Sequence, residues 1–99
     1  MKLYWHVEAK IEADQAAKFY KNKRQGLEKV FINRLEDAIY RIQKHPLLYK
    51  NIGDDVRKCR LKQFPIAVVF RLQPNHIEVV AIMHLRREPG YWAKRVGNV

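Results

Sequence analysis

Ile66-Ala67-Val68-Val69-Phe70-Arg71-Leu72, then Gln73-Pro74-Asn75, then His76-Ile77-Glu78-Val79-Val80-Ala81-Ile82-Met83-His84: this run sets the architecture of the chain. Two segments rich in β-branched and aromatic residues flank a polar Pro-Asn turn, which is the pattern of a β-hairpin. In the first, Ile66, Val68, Phe70 and Leu72 oppose Ala67, Val69 and Arg71. In the second, strict alternation sets Ile77, Val79, Ala81 and Met83 against Glu78, Val80, Ile82 and His84. Immediately upstream, Arg57 to Lys62 also alternates, with Cys59 and Leu61 against Lys58, Arg60 and Lys62, and Phe64-Pro65 marks the turn between them. Three consecutive strands therefore form the C-terminal half.

The N-terminal half reads differently. Lys2 to Glu8 alternates, with Leu3, Trp5 and Val7 on one side, and predicts a first strand. From Glu12 to about Arg24 the period becomes helical, with Ala13, Ala16, Ala17 and Tyr20 on one stripe and Asp14 as an N-cap or first-turn acid. The polar run ending in Gly26 breaks it, glycine supplying a left-handed stop. Leu27 to Lys44 is the clearest helix: Leu27, Val30, Phe31, Leu35, Ala38 and Ile42 recur at three- and four-residue steps, and Pro46 ends it near His45. Leu47 to Asp55 is a loop. The order strand, helix, helix, three strands predicts an α+β fold, a small mostly antiparallel sheet with a helical hairpin packed on one face.

At 99 residues, residues 1–99 read as one domain. No run approaches the roughly 18–20 apolar residues of a membrane span, and the N-terminus lacks a signal-peptide core, so a cytoplasmic location and no membrane partner are expected. Cys59 is the single cysteine, and the four histidines show no ligand spacing. Neither a metal nor another cofactor is therefore expected. The net charge is +10, and it is skewed: Arg57 to Val99 holds nine Lys/Arg against two Glu, and Met1 to Val56 eleven Lys/Arg against eight Asp/Glu. Such a balance favours polyanionic or acidic partners. With the first apolar sets turned to the helices, the opposite face should carry Lys58, Arg60, Lys62, Arg71 and His84 around Val69, Val80 and Ile82. That would be a cationic surface on an apolar floor.

The chain resembles the RelE/ParE superfamily of bacterial toxin–antitoxin toxins. The resemblance is carried by Ala13 to Tyr20 after the first strand, the helix ending in His45-Pro46, and Phe64-Pro65 leading into Val68-Val69-Phe70. Its most specific part is His84-Leu85-Arg86-Arg87-Glu88-Pro89 followed by Tyr91-Trp92 and Arg95. It implies the β-α-α-β-β-β order already read, and a growth-inhibiting toxin of a type II module, of the ParE-like or plasmid-stabilisation kind, neutralised by an acidic antitoxin. ParE-like members bind DNA gyrase; RelE-like members cut mRNA on the ribosome. The second activity needs a base, an acid and cations around the phosphate, and the resemblance implies Lys58, Arg60, His84, Arg87 and Tyr91 as the catalytic candidates. Ala67 departs from that pattern, since ribonuclease members carry a further arginine at about this place. The ParE-like reading instead makes Lys58, Arg60, Lys62, Arg71, Arg86, Arg87 and Trp92 a surface that binds target or antitoxin, and gyrase inhibition is the expected activity.

Overall fold

The computed structural model describes residues 1–96. The single-domain reading also takes in residues 97–99, which lie outside the described residues. The element order is β1 (Lys2–Trp5), α1 (Val7–Lys23), α2 (Leu27–Lys44), a 3-10 turn (Pro46–Leu48), β2 (Val56–Arg60), β3 (Ile66–Leu72), β4 (His76–His84) and a short C-terminal helix α3 (Ala93–Val96). The sheet runs β1-β4-β3-β2. β2, β3 and β4 are antiparallel neighbours, while β1 lies parallel to β4. This is the expected α+β architecture with the expected element order.

α2 forms where its stripe predicts. Phe31, Leu35, Ala38 and Ile42 are all buried. Gly26 adopts a left-handed conformation (φ 90°) that joins the two helices, and the main-chain N–H of His45 closes the last turn on Arg41. α1 begins five residues earlier than its period suggests, and β1 ends at Trp5. His6 explains both: its Nδ1 accepts a 3.0 Å hydrogen bond from the N–H of Glu8, capping the helix start. Val7, assigned by alternation to the strand, instead opens α1 and is exposed.

The helical hairpin and the sheet enclose the main core, in which Phe31, Ile42, Val68, Phe70, Ile77 and Val79 have no accessible surface. Tyr20, Phe31 and Phe64 form an aromatic cluster with centroids 4.8–5.5 Å apart, linking both helices to the β2–β3 turn.

β4 departs from strict alternation. Phe70 pairs with Val79 but Val69 pairs with Ala81, so Val80 is an extra residue and the strand carries a β-bulge. One inserted residue reverses the parity of everything after it. Val80, Ala81 and Met83 therefore face away from the helices, while Ile82 enters the main core and His84 pairs with Ile66 on the helix side. The expectation that Ala81 and Met83 pack under the helices, with Ile82 and His84 on the opposite face, is corrected by this bulge.

The opposite face is not an open floor either. Val56, Ala67, Val69, Val80, Ala81 and Met83 form a second buried cluster, and Leu85, Tyr91, Trp92 and Val96 from the chain's end pack against it. Arg71 holds that end in place: its Nη1 donates to the Val96 carbonyl (2.9 Å) and its Nε to the Asp54 carbonyl (3.2 Å).

Candidate functional site

The bulge determines the site. β1 pairs with β4 only as far as Val79, whose carbonyl takes the N–H of His6. Beyond that point the outer edge of β4 has no strand beside it, and buried backbone groups there must find other partners. The carboxylate of Glu12, on α1, accepts the N–H of Ile82 at 3.0 Å, and Nη1 of Arg95, in α3, donates to the Val80 carbonyl at 3.1 Å. The two side chains also meet each other in a two-point pair, Nη1 to Oε1 at 2.9 Å and Nη2 to Oε2 at 3.0 Å. The hydroxyl of Tyr91 donates to Oε2 at 2.8 Å. Side chains from α1 and the chain's end thus complete the sheet edge that β1 leaves open.

Electrostatics follows from this geometry. Burial opposes ionisation of Glu12, but the hydrogen bonds from Arg95, the Ile82 N–H and Tyr91 outweigh it, so its pKa lies below the usual carboxylate value. Burial, followed by the bond to the Glu12 carboxylate, pushes Tyr91 up to about 12. The Arg95 guanidinium is held charged by its bond to Glu12.

Arg87 sits over the exposed side of this node, its guanidinium carbon 3.8 Å from the centroid of the Tyr91 ring. His84, Arg87, Tyr91 and Glu12 border a hollow of about 280 Å³ that is also lined by Ala16, Phe19, Tyr20, Ile66 and Ile82. Nδ1 of His84 accepts the N–H of Arg86 at 3.1 Å, which closes the turn after β4. That bond uses the lone pair and leaves Nε2 as the N–H donor.

The remaining candidates lie elsewhere. Lys58 faces the other side of the sheet and borders a smaller hollow of about 140 Å³ with Ile52, Met83, Leu85, Arg87 and Trp92. Arg60 is exposed on the same face of β2, and Lys62 is exposed just past that strand's end. Arg86 is exposed beside Arg87, and Trp92 is half-buried in the second cluster. The structure therefore brings His84, Arg87 and Tyr91 together and joins Lys58 to them only through Arg87, which borders both hollows. Arg60, Lys62 and Arg71 border neither.

Sequence reasoning missed Glu12, which reads only as the start of a helix. Its role depends on partners 70 to 83 residues away. Among the described residues no group of His, Cys, Asp and Glu could hold a metal ion, and no helix is long and apolar enough to cross a membrane. A groove of about 870 Å³ lies between α1 and α2, lined by Trp5, Val7, Phe31, Ile32, Leu35 and Tyr40 among others. Val7 is 66% exposed and Tyr40 60%.

Residues 3–89 match a family model described as the ParE toxin of the type II toxin–antitoxin system parDE. A solved structure titled as the chromosomal ParDE toxin–antitoxin system from P. aeruginosa has the same fold. It aligns with a TM-score of 0.63 at 17% identity, covering 85% of this chain and 95% of that one. No curated protein sequence matches the chain.

Proposed function

We propose, from the premise that the chain belongs to the ParE toxin family of type II toxin–antitoxin systems, that it inhibits growth by docking on DNA gyrase without chemistry of its own. As a toxin of that family it has an antitoxin for a partner. The observation that carries the docking reading is the state of the two groups best suited to acid–base work. Tyr91 donates its hydroxyl to Glu12 and titrates only near 12, far from the pH at which a working base must lose its proton. His84 has committed its lone pair to a backbone N–H. With the Tyr91 hydroxyl turned to Glu12, Nδ1 of His84 turned to the Arg86 N–H, and Arg60 on the far side of the sheet, the arrangement favours recognition over ribonuclease catalysis.

The surface assigned to the target is the cationic rim of the chain's end: Arg86 and Arg87, with Lys58 beside them. Exposed cations of this kind steer association with an acidic partner surface and fix its orientation. The antitoxin is expected to be acidic, complementing the net charge of +10, and to lay an apolar segment into the groove between α1 and α2. A target such as gyrase places the protein's action in the cytoplasm.

The test is a supercoiling assay with purified protein and its Arg87→Ala variant. The wild type should inhibit supercoiling and the variant should lose most of that inhibition while melting at the same temperature. Full inhibition by the variant would remove the basis for assigning this surface to the target.

A further inference from the structure

We infer that Glu12 is a positioning residue for the target contact: it fixes the Tyr91 ring on which the Arg87 guanidinium rests. The inference builds on the assignment of Arg87 to the target and adds the device that holds it ready.

Arg87 is exposed, and no hydrogen bond or ion pair of its side chain is present among the described residues; its guanidinium carbon lies 3.8 Å from the centroid of the Tyr91 ring. A long cationic side chain on a surface turn loses considerable rotamer freedom when it binds a partner. A fixed aromatic platform reduces that loss beforehand. The platform itself needs fixing, because Tyr91 follows Pro89-Gly90, and Gly90 adopts φ 79°, so the local backbone supplies only a turn. The ring packs against the second buried cluster, and its hydroxyl, bound to Glu12 Oε2 at 2.8 Å, fixes its outer end. Glu12 in turn is held by Arg95 and by the Ile82 N–H, hence by the sheet. The order of support runs from the β4 edge to Glu12, to Tyr91, to Arg87. Arg95 also places its guanidinium carbon 5.2 Å from the same ring, so both cations are organised about one tyrosine.

The experiment uses two conservative variants, Glu12→Gln and Tyr91→Phe, the second keeping the ring while removing its bond to Glu12. NMR reads the Cδ protons of Arg87, which the Tyr91 ring current should displace upfield in the wild type. Both variants should lose much of that displacement. Gyrase inhibition should weaken by about two- to fivefold, the range of a surface cation–π contact, and the weakening should vanish in an Arg87→Ala background. An unchanged Arg87 shift in both variants would overturn the inference. So would an equal loss of inhibition with and without Arg87, which would mark Glu12 as merely structural. If the shift is lost but Arg87→Ala itself leaves inhibition intact, the positioning stands and the assignment of Arg87 to gyrase is what fails.

Discussion

Replacing Glu12 with Gln tests the node that ties α1, β4 and the chain's end together. The carboxylate receives hydrogen bonds from Ile82, Tyr91 and both terminal nitrogens of Arg95, and the side chains of Glu12 and Arg95 are only 14% and 15% exposed. Gln keeps the shape but removes the charge and turns one acceptor into a donor that must face Tyr91 or Arg95. A hydrogen bond to a charged group contributes about 1.5–3 kcal/mol, and breaking a well-buried pair costs more because one ion is left uncompensated. A loss of about 2–3 kcal/mol is expected, lowering Tm by roughly 10–20 °C for a domain of this size. The pH dependence has a definite sign. Because the folded pKa of Glu12 is depressed, its contribution is fully present above the unfolded value of 4.5 and fades as pH falls through the folded one. Urea midpoints of wild type and variant, measured from neutral pH into acid, should therefore converge below pH 4.5. A stability difference that stays constant across that range, or one below about 0.5 kcal/mol at neutrality, a size typical of surface substitutions, would show that the Glu12 carboxylate does not hold the node together.

Other substitutions probe the core and the loops. Phe31→Ala should cost about 3–5 kcal/mol by chemical denaturation, since Phe31 is fully buried between Tyr20 and Phe64. Gly53→Ala should cost about 1–3 kcal/mol, because residue 53 sits at φ 123° and a side chain is strained there although open space surrounds it. Cys59 is 1% exposed, so its thiol should react with a disulfide reagent only as fast as the protein opens, and denaturant should accelerate the reaction sharply.

Much of this molecule is legible in its sequence, and the exceptions have physical causes. α2 announces itself because its apolar stripe is long and is bounded by Gly26 and Pro46. The strands announce themselves by alternation. The start of α1 is hidden, because Val7 continues the alternation of β1 and the capping residue is a histidine rather than the usual Ser, Thr, Asp or Asn. The bulge at Val80 is hidden because every residue from Val79 to Met83 is apolar, so the pattern holds nothing to mark a change of face. That single residue moves His84 to the helix side, away from Lys58 and Arg60, and so alters which candidates can act together. The packing of Trp92 and Val96 over the second cluster, and the pairing of Arg95 with Glu12, join distant parts of the chain and leave no local trace. Arg86 and Arg87, being exposed at a turn, stand where their sequence context puts them.

Action on gyrase by binding alone is the mode proposed for this toxin. Its most direct test adds the purified protein to a supercoiling reaction and, in parallel, to a reconstituted translation reaction whose mRNA ends are mapped by primer extension. Supercoiling should be inhibited, or gyrase trapped on cleaved DNA, while the mRNA stays intact. New mRNA ends that require ribosomes, with gyrase unaffected, would contradict that mode.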